Sequence, residues 1–310
     1  MKNLISKYVL NLANVFFVLT LLAFSLPSRY TLERSVGLKP FYPFLIVLIT
    51  VELFFLFNLR AVEKNRTAKD IAAFVFGFLF LWELAISRFN LIPYIYVPAP
   101  ENVFYIFISD YRKIIQGFFS SMFLLIIGMA TSLTSAVFLG TLVGWIPRLR
   151  KAIYPIVKAI STVPPLVYTP YIVLIMPSYR SASIVVIFLT VFWNVFMGSI
   201  NNTAFVEKKI INAARVLNLS TPTILFKIII PFNYPRIINA LPINLSAAIM
   251  TLTVAEMLGA ESGMGYYVRY ALAFTEFHKA IGGIIFIAIV VTVINALISL
   301  VQKYTVKWKY

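Results

Sequence analysis

Apolar runs close to 20 residues long alternate with short polar connections along almost the whole chain. They lie near residues 8–26, 41–59, 71–88, 118–146, 155–176, 181–202, 237–258 and 281–302, and a helix of that length crosses a hydrocarbon core roughly 30 Å thick. The pattern predicts an all-α fold, a polytopic membrane helix bundle with about eight transmembrane helices. The third run is the weakest of the set, because Glu83 lies in its second half. The first run follows Lys2 and Lys7 as the core of a signal peptide would. It is long for that role and no small-x-small cleavage site follows, so it reads as a retained span.

Two connections stand apart. Residues 60–70, RAVEKNRTAKD, form a charged linker that separates a first helix pair from the rest. Residues 89–100, FNLIPYIYVPAP, carry three prolines and two tyrosines and predict an extended loop at the membrane interface.

The most unusual pattern lies between the sixth and seventh runs, in INAARVLNLSTPTILFKIIIP, residues 211–231. Ile210, Ile211, Ala214 and Leu217 recur at helical spacing, while Lys208, Lys209, Asn212 and Arg215 occupy other faces, so residues 207–217 predict a short amphipathic helix. Ala213 and Ala214 keep its flank thin. Asn218 is able to adopt the left-handed conformation that ends a helix. Thr221 and Pro222 predict a restart, with a side-chain cap followed by proline at the first helical position. Pro231 predicts the stop of this second helix. The expected product is a helical hairpin at the membrane face. Two uses are open for it: a spacer between spans, or a knob that fits a groove on another protein.

Composition narrows the chemistry. The 310 residues are 61% hydrophobic and 12% charged, with a mean hydropathy of +0.89, a balance that belongs to membrane proteins. There is no cysteine and a single histidine, His278, which excludes disulfides, thiolate catalysis and histidine metal clusters. The formal charge of +16 is explained by orientation and does not call for nucleic acid. With the N-terminus inside, Lys2, Lys7, Arg60, Lys64, Arg66, Lys69, Arg148, Arg150, Lys151, Lys158, Lys208, Lys209, Arg215, Lys227, Arg236, Lys303, Lys307 and Lys309 all fall on the cytoplasmic side. That is about two thirds of the basic residues, the bias the positive-inside rule requires. Both termini, and the hairpin, are then cytoplasmic.

NAARVLNLSTPTILFKIIIP resembles the EAA loop of the permease subunits of binding-protein-dependent ABC importers, whose pattern is Glu-Ala-Ala, three residues, Gly, nine residues, Ile-x-Leu-Pro. Ala213, Ala214, Ile228, Ile230 and Pro231 fall at the matching positions. Asn212 stands where that family usually has Glu, and Asn218 where it usually has Gly. Asn serves the same turn as Gly, whereas the resemblance implies that loss of the acid weakens or alters a polar contact with the ATPase. VAEMLGAESGMGYYV (254–268), YPIVKAISTVPPLVYTPYIVLI (154–175) and WELAISRFNLIPYIYVPAPENVF (82–104) are similar to the sulfonate, nitrate and taurine branch. The resemblance covers roughly residues 71–305. It implies a six-helix type I importer core over residues 71–310 with its coupling segment at about 207–231. Residues 1–70 then form an N-terminal two-helix membrane extension with a charged linker.

The same resemblance implies partners: two cytoplasmic ABC ATPase subunits, a second permease subunit (itself or a homologue) and an extracytoplasmic solute-binding protein, in the cell membrane of a prokaryote. ATP and Mg would be held by the ATPases. This chain has no Gly-rich loop ending in Gly-Lys-Ser/Thr with which to cradle nucleotide phosphates. It is expected to be a transport subunit and no enzyme, passing a small solute such as a sulfonate, nitrate or similar anion. Asn212, Ala213, Ala214, Leu217, Asn218 and Pro231 are the expected ATPase-coupling residues.

Each remaining residue of interest carries a second reading. Thr169, Asn194, Ser199, Asn244, Ser246, Thr251 and Thr253 are candidates for the translocation pathway, with helix-to-helix bonding the commoner role for any one of them. Among them, Asn194 is the first choice for a cavity. Glu256 is a gate or packing group, or else a protonated or headgroup-level carboxyl. Glu52 and Glu83 read as structural or interfacial. Pro164, Pro165 and Pro170 permit a kink, either a hinge or a packing bend. Gly140 and Gly144 are a close-approach pair. Gly259, Gly263 and Gly265 read as a flexible turn, and His278 as interfacial. An ion-gradient transporter would show more spans or inverted repeats, and an integral membrane enzyme would need a richer catalytic inventory.

Overall fold

The computed structural model describes residues 11–28, 38–57, 66–93 and 96–305. Lys2, Lys7, Lys307 and Lys309, residues 60–65 of the charged linker with Arg60 and Lys64 among them, and Tyr94 and Ile95 of the proline-rich loop lie outside the described residues. Within them, every regular element is helical: α1 (Leu12–Ala23), α2 (Tyr42–Phe57), α3 (Arg66–Trp82), α4 (Pro100–Ser109), α5 (Tyr111–Trp145), α6 (Pro147–Ser161), α7 (Pro165–Ile175), α8 (Tyr179–Ala204), α9 (Lys208–Val216), α10 (Thr221–Gly259), α11 (Met264–Ala273) and α12 (Phe277–Thr305). The chain divides into two compact units. One holds Met1–Ile114 with Tyr270–Ile284, the other Ile115–Arg269 with Ile285–Tyr310.

Among the described residues, five helices are long and apolar enough to cross a membrane: Lys69–Arg88, Tyr111–Trp145, Tyr179–Ala204, Thr221–Gly259 and Phe277–Tyr304. α1 and α2 are apolar but shorter. The expected crossing at 155–176 is not a single helix. α6 and α7 meet at a bend of 89°, and the reason is the tandem of prolines. The helical region is disfavoured for a residue before proline, and Pro164, preceding Pro165, sits extended at φ −61°, ψ 130°. Pro165 then opens α7 from its first turn, where its missing N–H costs nothing. Pro170, inside α7, breaks nothing further.

In the first unit, Ala13, Phe44, Leu48, Phe55, Ala73, Phe76, Leu79 and Phe104 form a buried cluster. At its edge α3 widens into a π-turn at Glu83–Arg88. Arg88 lies 2.6 Å from Glu83 and 3.4 Å from Glu101, and its Nη1 donates to the Leu26 carbonyl at 3.1 Å. Ser87 donates to Glu101 at 2.6 Å, and the guanidinium lies over the Phe24 ring. Glu83, structural or interfacial in the sequence reading, is thus half of a buried ion pair. Such pairs contribute little net stability, but removing one partner strands a charge and costs about 3–5 kcal/mol. Glu52 is buried as well, with one carboxyl oxygen lacking a partner.

The second unit is built on close contact between α5 and α8. A Cβ at Gly128 would fall 2.7 Å from Ile187 atoms, at Gly140 2.6 Å from Ser199 Cβ, and at Gly144 2.8 Å from the Ile200 carbonyl. Without a hydrophobic drive between helices in lipid, this backbone-to-backbone fit is the main source of association. Leu124, Leu125, Ile187, Val191, Leu245, Ile249 and Leu252 fill the adjoining core.

α10 runs unbroken for 39 residues despite three prolines beyond its first turn. The expected stop at Pro231 does not occur, because the helix widens into a π-turn at Leu225–Ile229 just before it, giving the ring room in the preceding turn. Pro242 removes the N–H that would bond the Ile238 carbonyl, four residues back. Gln302 of α12 supplies a replacement, its Nε2 donating to Ile238 O at 2.8 Å. One helical face further along, Asn295 donates to Ser246 Oγ at 3.0 Å. Gln302→Leu is expected to destabilise the protein by about 0.5–2 kcal/mol, measured by unfolding in mixed detergent. In a Pro242→Ala background the helix restores its own bond, and the same substitution is expected to cost close to nothing.

Candidate functional site

The stretch between α8 and α10 folds as a helix and a tight reversal. α9 ends with Asn218 in the left-handed region at φ 51°, as its sequence predicts. Asn218 N–H donates to Arg215 O at 2.9 Å and Leu219 N–H to Ala214 O at 3.2 Å, a pairing that satisfies the last carbonyls of the helix. The restart differs from expectation. Ser220, extended at φ −65°, ψ 150°, holds the cap position, with Thr221 and Pro222 already inside the first turn. Ser220 Oγ pairs with Thr223 Oγ1 at 2.8 Å, and no side chain caps the backbone.

α9 presents three faces. Ile210 and Ala214 turn inward onto Val206, Ile224, Leu225 and Ile229, with Leu142 and Trp145 beside them. Lys208, Ile211, Asn212 and Arg215, spaced by three and four residues, line a cleft. Ala213 and Val216 are open. Leu217, expected on the packed face, is instead 71% exposed, next to Val216 at 82%. It falls just beyond the last helical residue, where the reversal carries it away from the face shared by Ile210 and Ala214. The expected coupling set therefore splits: Ala214 holds the hairpin together, Asn212 faces the cleft, and Ala213 and Leu217 are free.

At the far end of α10 a second polar group is fully enclosed. Glu256 has no exposed surface. Its carboxylate accepts from Ser121 Oγ of α5 at 2.6 Å and from the Gly265 N–H at 2.7 Å. Ser121 Oγ in turn accepts from the Met264 N–H at 2.9 Å. The donors sit at the start of α11, where unpaired N–H groups favour an anion. The glycines allow it. Gly263 has φ +131°, and a Cβ there would overlap the Glu256 carboxylate, while one at Gly265 would overlap the Thr253 carbonyl. The turn that read as flexible in sequence is a fitted collar around an acid. Ser121 was not legible, since nothing around it distinguishes it from other hydroxyls in α5. The usable signal was an intramembrane acid nine residues before a glycine that opens another helix.

The candidate pathway residues do not gather at one surface. Thr169 donates to Pro165 O, Asn244 to Ala240 O, Ser246 to Pro242 O and Thr253 to Ile249 O, each within its own helix. Thr190 donates across to Thr251 Oγ1 at 3.2 Å, tying α8 to α10. Ser199 is buried with no partner for its hydroxyl. Asn194 alone is exposed, its amide 3.5 Å from Thr190 O. One turn on, Gly198 faces open space, and Asn201 follows, with its amide 3.4 Å from the Tyr154 hydroxyl. Asn194, Gly198 and Asn201 make a small polar stripe on α8.

The model of the family described as binding-protein-dependent transport system inner membrane component matches residues 132–309, more than half of the chain and inclusive of the hairpin and Glu256. A protein named as an aliphatic sulfonates transport permease, SsuC, from Bacillus subtilis (strain 168) is 30% identical over 171 residues, covering 55% of this chain and 62% of that relative. The aligned region is thus just under two thirds of that relative's length. The taurine transport system permease protein TauC of Escherichia coli (strain K12) is 25% identical over 232 residues, 72% of this chain and 84% of its own. The nitrate import permease protein NrtB of Leptolyngbya laminosa is 27% identical over 180 residues, 58% of this chain and 64% of its own.

Ser121→Ala removes one donor to Glu256 and leaves the Met264 N–H unpaired, an expected loss of about 1–3 kcal/mol. Gly265→Ala is expected to cost more, because its methyl has no space. Both are read as a lowered melting temperature of the purified chain, with Glu256→Gln milder than Glu256→Ala.

Proposed function

The chain belongs to the family of binding-protein-dependent transport system inner membrane components, and on that footing we propose that it forms half of the translocation pathway of an ATP-driven importer. A second copy or a homologue supplies the other half. Two cytoplasmic ATPases hold the ATP and Mg, and an extracytoplasmic binding protein delivers the solute. Residues 71–310 are the transmembrane domain, and residues 1–70 add two helices, for eight crossings with both termini cytoplasmic. The named relatives handle an aliphatic sulfonate, taurine and nitrate, so the solute is a small oxyanion.

The observation that carries this reading is the hairpin. Its reversal is closed by backbone bonds, its inner face is packed, and Ala213, Val216 and Leu217 stand free. A thin helix with exposed apolar side chains on a fixed base is a shape that seats in a groove of a partner. Force applied there has a defined route. Ala214 and Ile210 bear on Ile224, Leu225 and Ile229 at the start of α10, which continues without a break to Glu256. The span from Leu225 to Glu256 is about 47 Å at the helical rise. Motion of the hairpin is therefore delivered to the enclosed carboxylate at the opposite end, and rocking of the helices alternates the openings. Asn194, Gly198 and Asn201 are the stretch of α8 that fits a solute-facing wall.

Val216→Asp is expected to reduce the cytoplasmic ATPase recovered with the chain by about tenfold or more, while membrane insertion and melting temperature stay unchanged, since Val216 packs against nothing. Ala214 is unsuitable for this test because its replacement disturbs the hairpin itself. Solute uptake by the purified chain alone, driven by an ion gradient with no ATPase present, would overturn the importer reading.

A further inference from the structure

The cleft beside α9 is lined by cations and hydrogen-bond donors. It measures about 550 Å³ and is bounded by the end of α5, the start of α6, the end of α8 and one face of α9. Arg150, Lys208 and Arg215 line it, with Trp145, Asn212 and Thr203. No acidic residue lines it, and among the described residues none of the three cations is in an ion pair or a side-chain hydrogen bond. Glu207, the nearest acid in sequence, is exposed and pairs with none of them. The indole N–H of Trp145 and the amide of Asn212 likewise have no bonded partner. A cleft walled by donors and cations, with no anion of its own, is a receptor for an oxyanion.

Its depth identifies the source. Trp145 and Ala204 are the last residues of two membrane-crossing helices, α5 and α8, so the cleft lies where the apolar stretches of both end. That is the level of lipid headgroups, and tryptophan is favoured there. Exposed apolar residues flank it: Ile146, Leu149 and Phe205. A charged headgroup in the cleft would leave its acyl chains beside those residues. Basic pockets between membrane helices at this level hold anionic lipid phosphates.

We propose that this cleft binds the phosphate of an anionic phospholipid headgroup, clamped between α9 and the α5–α6 and α8 ends. The site uses the Lys208, Ile211, Asn212, Arg215 face of α9, distinct from the open Ala213, Val216, Leu217 face, so a lipid and a docked protein are able to occupy the helix together. The lipid would then hold the hairpin against the membrane surface from its other side. It would also give Asn212 a ligand in the position where an acid would repel one. The proposal requires only that the chain sits in a membrane, and does not rest on the importer reading.

The test uses the full chain, purified in detergent and offered equimolar phosphatidylglycerol and phosphatidylcholine, with retained lipid counted by native mass spectrometry. Preferential retention of phosphatidylglycerol is expected, falling about fivefold for each cation removed in Arg150→Gln, Lys208→Gln and Arg215→Gln combined. The control Lys151→Gln with Lys158→Gln, both exposed on α6 and outside the cleft, is expected to keep it. If the triple variant fails to fold, Lys208→Gln alone carries the same test, with a fivefold loss expected. Equal retention of the two lipids by the unaltered chain overturns the proposal. So does an equal loss in the control, which would mean diffuse surface charge. Displacement of the lipid by millimolar inorganic phosphate would assign the cleft to a free oxyanion. Unchanged lipid retention in the triple variant, with loss of a copurifying protein, would assign it to an acidic partner surface.

Discussion

A carbonyl freed inside a lipid-embedded helix has no water to turn to, so every proline in such a helix creates an obligation that some other group must meet. α10 carries Pro231, Pro235 and Pro242, and its continuity over 39 residues depends on how these are met. Before Pro231 the backbone itself relaxes into a wider turn. Opposite Pro242 a side chain from another helix, Gln302, takes over the orphaned carbonyl. The repair also fixes register between α10 and α12, because Gln302 reaches one carbonyl only when the two helices are correctly aligned. Where no such relief exists, at the Pro164–Pro165 pair, the helix ends and the chain turns by 89°.

The acids follow the same rule in electrostatic form. Glu256 and Glu83 are each enclosed, and each is answered from within the chain: one by a hydroxyl and the free N–H of a helix start, the other by an arginine that also grips a carbonyl near the N-terminus. An unanswered charge at such depth would cost several kcal/mol. These arrangements are expensive to disturb and add little net stability, which suits points that define geometry better than points that supply cohesion. Cohesion comes from the glycine seam of α5 against α8.

Much of this was legible in the chain itself. The apolar runs located the five long helices, Asn218 announced the left-handed reversal, and Gly140 with Gly144 announced close approach. The misses share a cause. Pro231 predicts a stop by local rules, yet a π-turn, which no residue type signals, absorbed it. Leu217 obeyed helical spacing up to the point where the helix ended. Ser121, Gln302 and Arg88 act on residues 135, 64 and 62 positions away respectively, and such pairings are decided by packing that no local pattern encodes. Thr169, Asn244, Ser246 and Thr253, which read either as a polar lining or as helix-to-helix bonding groups, each donate back to their own helix, the default for a hydroxyl or amide with no water nearby.

The unbroken run from the hairpin to Glu256 also sets how this chain is able to vary in length. Each residue added to an α-helix turns everything beyond it by about 100° and advances it by 1.5 Å. A single insertion between Pro231 and Glu256 would swing the acid away from Ser121 and Gly265, and would carry Ile238 out of reach of Gln302. Loops forgive such changes, but α10 has no phase to spare, so this segment acts as a ruler whose count is part of its meaning.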